Sequence, residues 1–504
     1  MNRSKKAMLN LISQWALQAT AAVCGFVVPK VMLEAFGSEV NGMVSSIAHF
    51  LGIISLMESG FGSVAKTAFY KPLAQKDRVA MSGVYNATES FFRKVAFIFL
   101  AYCIILSIVY PFIQSGDGEG GFGYIFTMTL VLIIGINSFI QYYFGMSYTI
   151  ALNADQLGYI GAFSQIVTVI FNAILIVIMV NLGAGVHLVK LVSAFVYIIR
   201  PIAVNIYGRY RYKVDRRVPK DEKSVEQKWD NLGQSIALYV HQKTSYIFIT
   251  LFLTLSEVSV FSVYSLITTS LSSVITSIST GFVAGLGNMY AKNETENFKR
   301  VFSLYEFVNT FVATLFYAIA LVTMMPFIGV YTANITDADY NRPLFGAILI
   351  IAELIYCIRL PYHYMIVNAG HFKQMKKGAF IEAGTNIVLS LCLLPFFGIV
   401  GLAIAMAVAM AIRTTEITIY CCRNITKLSV STVIKRLAVN GLSACLSVVV
   451  CLFIPFEATG FLTWFVLVGI VGAITFVTMG TVNLIVYKED FKFMLQKFKS
   501  VVKR

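Results

Sequence analysis

Apolar residues dominate this chain in long runs that short charged segments interrupt. We read spans at about 8–34, 40–69, 95–113, 122–150, 161–181, 187–207, 231–254, 258–289, 302–329, 344–370, 378–395, 399–422, 435–455 and 461–487. Each is long enough to cross a hydrocarbon layer roughly 30 Å thick as a helix. Lipid offers backbone groups no alternative partner, so spanning segments must be helices or closed barrels. The ten-residue alternating segments of a transmembrane barrel are absent. The predicted fold class is therefore an all-α polytopic membrane protein of about fourteen helices. An even count places both termini on one side.

Composition agrees with the pattern. The chain is 58% hydrophobic and 13% charged, about half the charge of an ordinary soluble domain. The basic, apolar start (Met1 to Phe26) reads as a first span, because its apolar run continues through Val28. The net charge of +15 would suggest nucleic acid on a soluble protein. Here its distribution gives a different reading. The connecting segments 1–7, 70–94, 151–160, 208–230, 290–301, 371–377, 423–436 and 488–504 hold 32 of the 40 Lys and Arg residues, and the opposite set holds one, Arg342. By the positive-inside rule the first set is cytoplasmic, and no nucleic-acid partner is expected. The expected location is a bacterial cytoplasmic membrane with both termini inside.

The outer connections are short, the longest lying near Tyr331 to Pro343, which leaves no room for the catalytic domain of a membrane glycosyltransferase or polymerase. No ATP-binding loop is present, and the eight cysteines show no metal-ligand spacing. Neither an enzyme nor a metal protein is expected. The tail 488–504 has an apolar helical stripe among six basic residues and reads as an amphipathic helix on the inner leaflet.

The chain also repeats. Ser38-Glu39-Val40 recurs as Ser256-Glu257-Val258, Asn153-Ala154 as Asn368-Ala369, Asn172 as Asn386, and Ile199-Arg200 as Ile412-Arg413, all offset by 213–218 residues. This predicts two related six-span lobes, 1–213 and 231–430, joined by a cytoplasmic linker, 214–230, and followed by two further helices and the tail in 431–504. Paired lobes are a common way to build alternating access.

Several segments carry a family resemblance. They are Gly25-Phe-Val-Val-Pro29-Lys30, Gly37-Ser-Glu-Val-Asn-Gly42, Phe69-Tyr-Lys-Pro-Leu-Ala74, Glu257-Val-Ser-Val-Phe-Ser-Val-Tyr264, Gly370-His-Phe-Lys373 and Gly398-Ile-Val-Gly401. In this order the chain resembles the polysaccharide flippases of the multidrug/oligosaccharidyl-lipid/polysaccharide exporter superfamily. The resemblance implies a V-shaped pair of lobes around a central cavity, with the last two helices forming a groove for a lipid tail. It implies an undecaprenyl-diphosphate-linked oligosaccharide as substrate, moved from the inner to the outer leaflet. Membrane lipids and polysaccharide-assembly enzymes are the other expected partners. No cofactor is expected, and the membrane potential, H+ or Na+ would supply the coupling. The competing readings are a cation-coupled drug exporter of the same fold and a membrane glycosyltransferase or polymerase.

A diphosphate needs cations along its path. Intramembrane charges are costly and mark functional positions or internal pairs. The basic residues within spans are Lys30, Lys66, Lys190, Arg200, Lys243, Arg359 and Arg413. Lys30, Lys66 and above all the deep Lys243 are candidate substrate cations, and Glu58 is a candidate counter-ion of Lys243. Asn41, His49, His241 and Gln242 are candidate sugar contacts, each equally suited to a helix-to-helix hydrogen bond. Arg359, Arg200, Arg413 and Glu353 are secondary candidates. Arg359 would otherwise pair with Glu353 or a backbone carbonyl, and Arg413 with Glu416 at i+3. Lys66, Arg200 and Arg413 could also snorkel to the inner face.

Overall fold

The structure is a computed structural model, and residues 3–114, 122–222, 243–292, 294–454 and 457–488 are described. It is all-helical apart from short connections. Eleven helical runs among the described residues are long and apolar enough to cross a membrane. Two of them, 8–75 and 374–426, are 68 and 53 residues long. A straight helix of that length would reach roughly 80–100 Å, far beyond one bilayer. Each is broken at a glycine: Gly37 has φ 79° and ψ 174°, and Gly398 has φ 55° and ψ −135°. These backbone regions are essentially closed to residues with a Cβ. Each glycine therefore turns one continuous apolar tract into two spans. Counting each of these tracts as two gives thirteen spans among the described residues, and helix 243–252 is the described part of the predicted span 231–254.

The chain divides into two compact units, Met1–Ser259 and Val260–Arg504. The first contains α1 (Arg3–Leu51), a tight turn at Gly52–Ile54, α2 (Ser55–Gln75), α3 (Arg78–Gln114), α4 (Tyr124–Ile140), α5 (Met146–Ala154), α6 (Gly158–Asn181), α7 (Val186–Val196), α8 (Ile199–Tyr212) and α9 (243–252). Its core is aliphatic and aromatic: Met43, Ile47, Phe61, Phe69, Phe92 and Tyr110 are sealed from solvent. At the basic end, Lys6 pairs with Asp155 at 3.0 Å. The amide of Tyr159 donates to Asn10 Oδ1 at 2.7 Å, and Asn10 Nδ2 donates to the carbonyl of Gln156. These bonds fasten the start of α1 to the α5–α6 turn.

One predicted connection is corrected. The segment 70–94 is helical at both ends, with a turn of two residues, Lys76 and Asp77, between α2 and α3. Lys76 takes the left-handed conformation. The Asp77 carboxylate accepts from the amides of Val79 and Ala80, capping α3. The charges of this segment ride on a helix that continues past the apolar run.

The expected lobe boundary at 214–230 also differs from the unit boundary. Residues 243–259 pack on the second half of α1. Ser46 and Thr250 share a hydrogen bond of 2.7 Å, and the backbone of Leu255 approaches Gly42 so closely that a Cβ there would clash.

α10 (Leu255–Ala291) runs from the first unit into the second, which contains α11 (Thr295–Tyr331), α12 (Pro343–Asn368), α13 (Phe372–Cys421), α14 (Val430–Leu452) and α15 (Phe461–Val486). Phe302, Tyr305, Tyr362, Met365 and Cys421 form one core cluster. α14 and α15 dock on α11 through Phe311, Leu315, Ala444 and Met479 and through Cys451, Leu467 and Val471. Trp464 Nε1 donates to the carbonyl of Thr323 at 3.0 Å. Leu442, Leu462, Phe465 and Ile485 remain exposed, as a lipid-facing surface requires. The predicted tail helix lies outside the described residues.

Candidate functional site

Charged and polar residues within the spans fall into two classes, those satisfied by other helices and those left open. The second unit is mostly of the first class. Arg359 is buried and pairs with Glu382 at 2.7 Å, not with Glu353 or a backbone carbonyl as expected, although Glu353 lies within electrostatic reach. Its guanidinium also stacks 4.8 Å over the Tyr356 ring. Glu382 lies 3.7 Å from Arg413, which pairs with Glu416 at 2.6 Å and donates to the carbonyl of Met375. Two arginines and two glutamates thus balance across α12 and both halves of α13. The arrangement staples helices and leaves no surplus charge for a ligand.

A second buried pair escaped the sequence reading. Arg436, counted there as part of a basic connection, is buried in α14 and pairs with Glu306 of α11. It also donates to the Ser303 carbonyl and hydroxyl, both at 3.0 Å. Its place beside Lys435 at the edge of an apolar run hid it; Glu306, an acid inside a span, was the available signal.

α10 carries a further unpredicted feature. Ten serines and threonines fall between Ser265 and Thr280. Thr269, Ser273 and Thr280 are exposed, and Ser277 is half-buried beside them. Their hydroxyls donate within the helix, Ser273 to Thr269 and Ser277 to Ser273. Their lone pairs stay available to hydroxyl-rich ligands.

The first unit holds the open class. Asn41 is buried and donates to Ser259 Oγ at 2.7 Å, a helix-to-helix bond that commits its amide. Lys30 pairs with Glu34 one turn away at 2.9 Å. Glu58 accepts from Tyr142 at 3.1 Å and lies within electrostatic reach of Arg200. Those groups, rather than Lys243, are therefore its neighbours. Tyr142 is delivered by a π-helical turn, Gln141–Gly145, between α4 and α5. Asn205 of α8 collects the carbonyl of Phe144 within that turn. Such turns interrupt helices and often mark functional positions.

Lys243 begins α9 and is half-buried. Among the described residues no carboxylate pairs with it. Its charge is felt by His49, whose ring stacks on Tyr246 with centroids 3.5 Å apart. Lys66 is exposed on α2, together with Ser63, Thr67 and Tyr70. Lys66 lies near the cytoplasmic end of its predicted span, 40–69, so its ammonium either snorkels to the inner face or meets water or a polar ligand. Lys190 is half-buried in α7. His241 and Gln242 lie outside the described residues. The structure thus places Lys243 and His49 near one another and keeps Lys66 open, but separates Glu58 and Asn41 into internal bonds.

No protein-family model and no curated protein matches the sequence. Solved structures do. The inward closed conformation of the lipid II flippase MurJ matches with a TM-score of 0.74 at 14% identity, over 95% of this chain and 99% of that one. An inward-facing multidrug resistance MATE family transporter of the MOP superfamily matches with a TM-score of 0.60 at 13% identity, over 83% of this chain and 98% of that one. A MATE transporter of Vibrio cholerae matches with a TM-score of 0.59 at 13% identity, covering 84% and 98%. The sequence thus encodes, nearly end to end, the polytopic helical fold shared by a lipid flippase and by MATE transporters of the MOP superfamily.

Proposed function

We propose that the protein is a flippase that moves a polyprenyl-diphosphate-linked oligosaccharide, undecaprenyl-linked in a bacterial membrane, from the inner to the outer leaflet by alternating access. The observation that carries this reading is Lys243, a cation within a span that no carboxylate neutralises among the described residues. A buried charge needs a partner, and a phosphate supplies one only while it is bound. Within the first unit, the open face of α2 around Lys66, with Ser63, Thr67 and Tyr70, offers polar lining of the kind a sugar headgroup needs. Each hydroxyl left unpaired in hydrocarbon would cost several kcal/mol.

Coverage of the solved structures supports the lipid-flippase reading over the drug-exporter reading. The MurJ match covers 95% of this chain and the MATE matches 83–88%, a difference of about 35–60 residues. Net export of an anion from a negative interior gains about 2.3 kcal/mol per charge per 100 mV, so the membrane potential favours this direction of transport.

The test is deletion of the gene followed by analysis of the lipid-linked pool in spheroplasts. A flippase predicts that a polyprenyl-diphosphate oligosaccharide accumulates on the inner leaflet, protected from added glycosidases. An unchanged pool with new sensitivity to cationic drugs would favour the exporter.

A further inference from the structure

Two adjoining recesses in the first unit do not have Lys243 in their lining. The first, of about 550 Å³, runs along the start of α2 and the middle of α3, with Ile53, Leu56, Met57, Phe91, Val95 and Ile98 among its lining. The second, of about 620 Å³, is lined by Arg93, Lys94, Arg216 and Lys220 together with the Glu89 carboxylate. Ser90 and Lys94 line both. An apolar channel therefore opens directly onto a basic one.

The cations are held in place. Arg93 and Arg216 share Glu89 at 3.2 and 3.1 Å, and Lys220 donates to Ser90 at 2.9 Å. The segment carrying Arg216 and Lys220 is strapped to α3. Asn86 donates to the carbonyls of Asp215 and Val218, Ser82 accepts from the Asp215 amide, and the Asp221 amide donates to the Gly83 carbonyl. Four cations and one carboxylate, Glu89, line the basic recess, so positive charge is in surplus within it; Glu222 lines the apolar recess, and Asp215 and Asp221 lie on the strapped segment outside both linings. Among the described residues, the buried Nε of Arg93 has no hydrogen-bond partner.

The position selects the occupant. Ile98 and Phe97 are more than half exposed on an apolar span, so the groove opens at the depth of lipid chains. The basic recess lies at the end of that span nearest the positively charged connections, where a lipid headgroup sits. A peptide or a soluble anion would fill one recess only. We propose that the paired recesses bind an anionic phospholipid of the inner leaflet, with an acyl chain along α2 and α3 and the phosphate on Arg93, Lys94, Arg216 and Lys220. This inference is independent of the substrate that the protein carries.

The test uses the full chain carrying Ile98→Trp, reconstituted in phosphatidylcholine vesicles containing chain-brominated phosphatidylglycerol or chain-brominated phosphatidylcholine at equal fractions. The added tryptophan emission should be quenched several-fold more by the glycerol lipid. Combining Arg216→Gln with Lys220→Gln should lower that preference by at least about fivefold, the worth of one cation near a lipid surface. Native mass spectrometry without the tryptophan should show the same loss of retained phosphatidylglycerol. Equal quenching by both lipids overturns the proposal, as does a preference that survives the double substitution. Displacement of the brominated lipid by equimolar undecaprenyl diphosphate would assign the groove to that lipid instead.

Discussion

Lys243 and Arg436 show how similar charges take opposite roles. Lys243 has no acidic partner among the described residues, whereas Arg436 has Glu306, the Ser303 carbonyl and the Ser303 hydroxyl. For Lys243, alanine and glutamate should both abolish export while leaving the protein folded and inserted. Arginine should keep part of the activity, because it still offers charged donors but holds them in a fixed fork. Polymer surface display, normalised to membrane-inserted protein, checks this; wild-type export by Lys243→Ala would move the site towards Lys30 and Lys66. For Arg436, alanine leaves a buried glutamate uncompensated and should cost about 3–5 kcal/mol. Replacing both partners, as Arg436→Leu with Glu306→Leu, should cost far less. Thermal unfolding in detergent separates the two cases, and equal losses for the single and double variants would contradict the pairing.

Among the elements, the two glycine breaks decide how the longest apolar tracts are partitioned. A Cβ at Gly398 would meet nothing within 4 Å, so any effect of Gly398→Ala must come from the backbone. At φ 55° and ψ −135° the substitution should cost roughly 1–3 kcal/mol. Gly25 also has open space around it but sits in regular helix. Gly25→Ala should be neutral or slightly stabilising, which makes it the control in the same unfolding assay. The break at Gly398 was legible as a short connection, 396–398, between two apolar runs. The α2–α3 turn was not legible, because charge density on one face of an exposed helix looks the same in sequence as a charged loop.

For the whole molecule, the asymmetry of Lys and Arg predicts that both ends of the chain and the 214–230 linker face the cytoplasm. Single cysteines at Ser224 and Ser500, in a cysteine-free background, should resist impermeant maleimide added to intact cells and react after permeabilisation. Labelling from outside would invert the topology. The repeat predicts that an experimental structure will superpose 1–213 on 231–430, with Asn172 over Asn386 and Arg200 over Arg413. In each unit taken separately, both asparagines are buried and accept a serine hydroxyl, from Ser193 and from Ser390. Unrelated positions for these pairs after superposition would refute the duplication.

The run lengths of apolar residues and the scarcity of charge within them determined the helical class, because hydrocarbon thickness and backbone hydrogen bonding admit only helices or closed barrels and the alternation of a barrel is absent. They also exposed which ionisable residues lie inside spans, since such residues stand out against an apolar background. Only the tertiary structure decided their partners. Arg359 met Glu382 rather than Glu353, Glu58 met Tyr142, and Asn41 met Ser259. The reason is geometric. Neighbours three or four residues apart on one helix are readable from spacing, but partners 23, 84 or 218 residues away are chosen by which helix faces pack, and that choice rests on side-chain shape summed over the whole interface.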